Sequence, residues 1–446
     1  MKTSILRRLA MATVALTAIL SAPAMAQLSV DVTGEIDSNV KVAVPSLPAQ
    51  QDVATPAGTA SELGRKIAEV IASDLKGSGL FDPSGPGGLP ALAFPEVTNP
   101  VYAKWGAYQA LVQGFVRTTG GEADITVGCY LYDVALKQEL TRQGYVVAPR
   151  DWRRAAHKIA DQIYARLTGE KPYFDSRVAF VQETGPKSAR IKRIGVMDYD
   201  GANILWMTDS SSLVLAPKFS PDGRRLLFTS YDSGFPQIQL MDVATVSARP
   251  LTRDASTMAF APTFSPDGRW VAYSREQGGN TDIWLMDVAT GAQRALTNSP
   301  AIDTSPGFSP DGQRIVFESD RSGSPQLYIM GLDGAEPSRI SFGDGRYGTP
   351  TWSPKGDLIA FTKQIGERFH IGTMRTDGSS ERMLTESFLD EGPTWAPNGR
   401  VVMFTRATPG GNGLPRLHSV DITGRNMRPM NLDFAASDPS WGPLMP

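Results

Sequence analysis

From Arg177 onward, short apolar runs with period-two alternation follow one another, each bounded by Gly, Pro, Asp or Ser. That pattern predicts successive strands joined by tight turns. Before that point, two stretches carry apolar residues at helical spacing instead. Ser61–Lys76 puts Leu63, Ile67, Val70, Ile71 and Leu75 on one face and stops at Gly77, and Arg150–Leu167 does the same with Trp152, Ala156, Ile159, Ile163 and Leu167. The chain therefore divides into a mixed segment followed by one built of strands alone.

The strand segment is periodic at a second level. The phrase Ala216-Pro217-Lys218-Phe219-Ser220-Pro221-Asp222-Gly223 returns around Phe264, Phe308, Trp352 and Trp395, with a clipped echo at Asp438-Pro439-Ser440-Trp441-Gly442-Pro443, so the aromatic anchors stand 45, 44, 44, 43 and 46 residues apart. This is the length of one four-stranded propeller blade. In each unit a short strand A ends at the anchor, and Pro-Asp-Gly supplies a tight turn because Pro presets φ and Gly accepts positive φ. Strand B follows (Arg225–Ser230, Trp270–Arg275, Arg314–Ser319, Leu358–Lys363, Val401–Arg406), then strand C (Gln237–Val243, Asp282–Val288, Gln326–Leu332, His370–Thr376, Arg416–Ile422) and a short strand D.

The ends of the array predict how the ring closes. Arg177–Gln182, Arg193–Tyr199 and Ile204–Thr208 supply strands B, C and D without an A, while Ser437–Trp441 supplies an A with nothing after it. Pairing the two makes a sixth, composite blade and leaves no open edge at the seam. Upstream, Lys41–Val44, the Ala110–Arg117 and Ala123–Tyr132 hairpin, Gln138–Val147 and the two helices predict a small α/β domain, with Asp82–Pro100 as a loop within it. The expected fold is an α/β N-terminal domain plus an all-β six-bladed propeller closed by a C-terminal strand. Its divisions are residues 1–26, 27–39, 40–168 and 169–446.

Residues 1–26 have a basic start (Lys2, Arg7, Arg8), an apolar core from Leu9 to Leu20 and the small-x-small site Ala24-Met25-Ala26. They read as a signal peptide cleaved after Ala26, since the apolar run is shorter than a membrane span needs. The mature chain is expected to carry no membrane span. Removing this leader takes the charge from −2 to −5 (41 basic against 46 acidic residues), too weak to suggest nucleic acid as partner. The single cysteine, Cys129, cannot form a disulfide within the chain and sits in an apolar strand pattern, as a buried small hydrophobe would.

Little in the sequence points to catalysis or metal chemistry. Asp222, Asp267 and Asp311 resemble ligands, but the same place holds Lys355 and Asn398 in the next two repeats, an exchange that turns tolerate and a metal site does not. Asp198-Tyr199-Asp200-Gly201 resembles the opening of a calcium loop without its distal Glu, and His157, His370 and His418 are scattered without zinc spacing. Neither a nucleophile elbow nor a phosphate loop is present. No catalytic residue, metal or cofactor is expected.

Recognition should lie where copies of the repeat differ. In an A–B–C–D blade the A–B and C–D turns share one face, and the B–C loops and D–A crossings share the other. The Pro-Asp-Gly turns are nearly uniform, whereas the crossings Arg253–Ala261, Asn298–Ser305, Phe342–Thr349, Glu386–Gly392 and Asp433–Asp438 vary, as binding loops on a rigid scaffold do. The crossing residues nearest each Pro are therefore the candidate channel-mouth site: Met258, Ala259 and Phe260; Asp303, Thr304 and Ser305; Tyr347, Gly348 and Thr349; and Leu389, Asp390 and Glu391. A second candidate is the arm Gln27–Asn39. Leu28, Val30 and Val32 alternate with Ser29 and Asp31, and Gly34, Ile36 and Asp37 follow, so the arm could add a strand to a partner's sheet edge or to the first domain.

The leader, the α/β domain, Leu167-Thr168-Gly169-Glu170-Lys171 running into Phe174-Asp175-Ser176-Arg177-Val178-Ala179-Phe180-Val181, and six Ser-Pro-Asp-Gly-marked blades together resemble the TolB family of the Tol–Pal system. Ser230-Tyr231-Asp232-Ser233-Gly234-Phe235-Pro236-Gln237-Ile238, Ser319-Asp320-Arg321-Ser322-Gly323-Ser324-Pro325-Gln326-Leu327 and Ser387-Phe388-Leu389-Asp390-Glu391-Gly392-Pro393 are similar to that family's loops. The likeness spans the mature chain. It implies a non-enzymatic, monomeric periplasmic scaffold that binds the peptidoglycan-associated lipoprotein Pal at the channel mouth and offers its N-terminal arm to TolA. Such a scaffold supports outer-membrane integrity and constriction at division and is exploited by colicins. A periplasmic propeller hydrolase and a small-ligand-binding propeller are the alternatives.

Overall fold

The computed structural model describes residues 28–30, 39–186, 189–410 and 413–446. The N-terminal region holds a five-stranded sheet in the order Phe81–Ser84, Val40–Ala43, Ala110–Arg117, Ile125–Asp133 and Gln138–Val147. Helices α1 (Ala60–Gly77) and α2 (Trp152–Thr168) bury their predicted apolar faces against it. A capping box between Thr59 and Glu62 starts α1, and Gly169, at φ +70°, ends α2 in the left-handed region that favours glycine. One expectation fails here. Asp82–Pro100 is not all loop, because Phe81–Ser84 pairs in parallel with Val40–Ala43 as an edge strand. Pro83 hid it, and Pro is tolerated there because an edge strand has one side with no ladder to donate to.

Six four-stranded antiparallel sheets follow, and the sixth is composite, as the seam argument requires. Ala435–Leu444 pairs with Ser176–Thr184, placing the last strand beside the first three of the propeller. Between neighbouring blades the packing is apolar, as in the cluster of Leu226, Phe228 and Met241 with Val181, Ile194 and Val196. The A strands, Val214–Phe219, Met258–Phe264, Asp303–Phe308, Arg346–Trp352, Leu389–Trp395 and Ala435–Leu444, contact one another around the central channel.

Those bounds correct the crossing segments. Met258–Phe260, Asp303–Ser305, Tyr347–Thr349 and Leu389–Glu391 are not loops but the first halves of the inner strands, paired with strand B; Phe260 stands opposite Ser274 and Glu391 opposite Thr405. A bulge then shifts the register before each anchor. The proline of each repeat, which has no N–H and looked like a strand boundary, lies in that bulge on the channel edge, where no further strand needs its donor.

The N-terminal domain rests on the face that carries the A–B and C–D turns. In blades 1 to 3 the turn closes on itself: Asp222 Oδ1 accepts from Ser220 Oγ and the Arg224 N–H, and Asp267 and Asp311 repeat the arrangement. The two repeats that depart from Pro-Asp-Gly are the ones that meet α2 and the junction just after it. Lys355 Nζ pairs with Glu170 at 2.9 Å, and Asn398 is buried against α2, where an aspartate would be a buried charge.

Candidate partner-binding surface

Each bulge has the same cause. The residue before the proline takes a left-handed conformation: Ala216, Ala261, Ser305, Thr349, Gly392 and Asp438, with φ between +45° and +63°. Five of these are not glycine, and such backbone persists only where the surroundings fix it. Staples to the neighbouring blade do so. Ser305, Gly392 and Asp438 donate their N–H groups to Ser274 Oγ, Thr362 Oγ1 and Thr405 Oγ1 at 3.0–3.2 Å. The composite blade has Val181 at the stapling position, opposite Ser437, and Ala216 instead donates to Asp438 Oδ2 at 3.2 Å.

The ring encloses a channel of about 420 Å³ walled by Phe260, Ser305, Thr349, Gly392 and the repeat prolines. Of the twelve sequence candidates, Phe260, Ser305 and Thr349 face this space. Four others are buried in the inner strands: Ala259, Asp303, Tyr347 and Asp390. Asp303 is paired with Arg321 at 2.8 Å, Asp390 takes two bonds from Arg406 at 2.6 and 2.7 Å and a third from Thr385 Oγ1, and the Tyr347 hydroxyl donates to Glu381. These groups hold the inner strands in shape. Met258 and Leu389 lie at the outer start of their strands, with Thr304, Gly348 and Glu391 next to the bulges. Burial raises the Glu391 carboxyl above its ordinary value, Asp438 adds to the shift and Lys192 opposes it. Burial likewise raises Glu318, which accepts from the Thr349 N–H.

On the mouth face stand apolar side chains that the chain itself covers only in part, Phe342 with the Arg339 guanidinium over its ring at 5.2 Å. Phe342 is 70% exposed, and Phe235, Ile302 and Phe388 are each close to half exposed. The three exposed phenylalanines among the described residues all stand on the face of the B–C loops and D–A crossings. Sequence reading placed Ile302, Phe342 and Phe388 inside the crossings but did not single them out as binding residues. Their signal was an apolar side chain inside a polar crossing.

Of the arm, Gln27, Asp31, Val32, Gly34, Ile36 and Asp37 lie outside the described residues, as does the predicted leader. Leu28 and Val30 pack against the core of the first domain, Ser29 is exposed, and the Val30 N–H donates to the Leu167 carbonyl at 2.7 Å. No helix among the described residues is long and apolar enough to cross a membrane.

A second polar constellation links the two domains, built from residues far apart in sequence. Asp74 of α1 accepts from the Tyr199 hydroxyl and faces His157 Nδ1, both at 2.7 Å, while Arg153 of α2 reaches Asp200. Burial would lower the His157 pKa, but Asp74, with Asp200 and Asp198 behind it, outweighs this and raises it to about 9. Asp74, His157 and Asp200 offer ligand atoms within 4.8 Å of one another, a proximity that the histidine spacing did not reveal. Arg153 already neutralises the Asp200 carboxylate, so the group is a charge link across the domain boundary. The single cysteine, Cys129, is buried, which pushes its thiol up to about 12 and leaves it inert.

Comparison with known proteins decides the family. Residues 164–445 match the family model described as TolB beta propeller domain, and residues 28–140 match the TolB amino-terminal domain. The chain belongs to the TolB family. Similar relatives are named Tol-Pal system protein TolB: one from Zymomonas mobilis is 59% identical, covering 94% of this chain and 91% of that protein. Another, from Cereibacter sphaeroides, is 58% identical across 99% of this chain and 100% of its own length. A crystal structure of TolB from Acinetobacter baumannii superposes with a TM-score of 0.79 at 28% identity, covering 94% of this chain and all of that one.

Proposed function

We propose that this chain is a non-enzymatic periplasmic scaffold of the Tol–Pal system, exported by a leader cleaved after Ala26. As a monomer it binds the peptidoglycan-associated lipoprotein Pal through the channel-mouth face and TolA through the arm 27–39. By joining envelope layers in this way it supports outer-membrane integrity and constriction during division, and colicins can use the same surfaces. The observation that carries the reading is the asymmetry of the ring: one face is occupied by the chain's own first domain, and the other presents Phe235, Ile302, Phe342 and Phe388 around an open mouth. Exposed aromatic groups rimmed by polar residues are what a protein interface is made of.

The test is a pull-down from periplasm and solubilised envelope with the mature chain, a version lacking residues 27–39, and Phe342→Ser with Phe388→Ser. Loss of TolA on arm deletion and of the lipoprotein with the double substitution is expected. Retention of TolA without the arm overturns the arm assignment, and retention of the lipoprotein overturns the face assignment. Turnover of peptide or ester substrates by the purified chain would favour the hydrolase alternative.

A further inference from the structure

The channel wall is not symmetrical. At the inner-strand position one residue before the anchor, five blades carry Thr263, Gly307, Thr351, Thr394 and Ser440, and blade 1 carries Lys218. Two of the small residues are used for stapling: Thr394 Oγ1 accepts from the Trp441 N–H and Ser440 Oγ from the Phe219 N–H. Lys218 borders the channel, and among the described residues no carboxylate lies within ion-pair distance of it. Enclosure lowers its ammonium below the ordinary lysine value, and the more distant Asp438 offsets this only in part. Asp438 is itself engaged by the Ala216 N–H.

A second group on the same wall is also unsatisfied. Thr229 occupies in blade 1 the place from which Ser274, Thr362 and Thr405 staple the following blade. Its Oγ1 has no hydrogen-bond partner, although the residue is only 2% exposed and borders the channel beside Lys218 and Tyr231. A buried hydroxyl and an enclosed ammonium, both unpaired and both on one wall, are costly unless a ligand completes them.

We propose that blade 1 builds an anion subsite inside the channel, in which Lys218 Nζ and Thr229 Oγ1 bind a carboxylate, with Tyr231 at its side. A carboxylate fits because it is acceptor-only, carries the charge Lys218 lacks and has two oxygens for two donors. It can arrive as a free small carboxylate or as an acidic side chain of the protein seated on the mouth. Only the second source rests on the partner-face reading.

The two sources separate in one set of titrations on the mature chain. Acetate and succinate, with acetamide as the neutral control, are followed by the NMR signal of the Lys218 ε-methylene, assigned by its loss in Lys218→Arg. The soluble domain of the peptidoglycan-associated lipoprotein is titrated separately into the native chain, Lys218→Met, Lys218→Arg and Thr229→Val. A saturable shift with the carboxylates and none with acetamide is expected, weakened roughly tenfold in Thr229→Val, the scale of one charge-assisted hydrogen bond. A roughly tenfold loss of lipoprotein affinity in Lys218→Met, recovered in Lys218→Arg, assigns the carboxylate to the partner. Unchanged lipoprotein affinity with a saturable acetate shift assigns it to a free ligand. No shift together with unchanged affinity overturns the subsite. If the lipoprotein fails to bind the native chain, the partner-face reading falls while the acetate titration still decides this one.

Discussion

The two faces of the ring are made from the same repeat, yet they solve opposite problems. On the turn face the polar turn residues are satisfied within their own phrase, as in Ser265–Asp267–Arg269, or by the segment just past α2, as in Lys355–Glu170. On the mouth face the Asp303–Arg321 and Asp390–Arg406 pairs shape the inner strands, and the surface mixes polar crossing residues with the exposed Phe235, Ile302, Phe342 and Phe388. A closed turn tolerates substitution because little depends on it beyond local geometry. A buried pair does not, and an exposed phenylalanine matters only when something covers it.

The largest effect should come from beneath the mouth. Asp390→Ala removes the buried carboxylate to which the partly exposed Arg406 and Thr385 Oγ1 donate, and should destabilise the chain by about 2–4 kcal/mol in a denaturant titration. An effect below 1 kcal/mol would mean that these pairs are not what shapes the inner strands. Next is the link beneath the docked domain. The folded-state His157 pKa is raised to about 9 from an ordinary 6.5, so its stabilising contribution is complete below about pH 6.5 and is lost as pH rises through about 9. Native stability should fall between pH 6.5 and 9.5, and His157→Gln should flatten that fall by on the order of 1–3 kcal/mol. An unchanged slope would remove His157 from the link.

Smaller effects test the surfaces themselves. Phe342→Ser should change stability by no more than about 0.5 kcal/mol while weakening lipoprotein binding roughly tenfold in calorimetry. A stability loss without a binding loss would reverse the roles assigned to the mouth. Least of all, Asp267→Asn on the turn face should cost under about 0.5 kcal/mol of thermal stability and leave binding untouched, since Asn398 already serves in the equivalent turn.

The residues themselves show how far the sequence could be read. Periodicity located the strands because burial of one side of a pleated strand must repeat every two residues, and Arg225–Ser230 and Arg314–Ser319 occur with the expected bounds. The same logic misplaced Asp303 and Asp390, which are polar and near a proline and so look like loop residues. Their burial depends on Arg321, just past the end of strand B, and Arg406, within strand B, which arrive 18 and 16 positions later. Lys355 and Asn398 were legible as exceptions to the repeat, but only the docked helix explains them.

Composition and pattern determined the leader-like start, the α/β segment, the count of six blades and the seam, because these rest on local period and on a repeat that any reader of the chain can measure. Tertiary structure decided the rest: which polar residues are paired below the surface, that the N-terminal domain covers the turn face through contacts such as Asp74 with Tyr199 and α2 with Asn398, and that Lys218 and Thr229 share one channel wall. The reason is physical. Local preference is a property of neighbours in sequence, whereas the cost of a buried charge or an unmet donor is set by whatever the fold brings beside it.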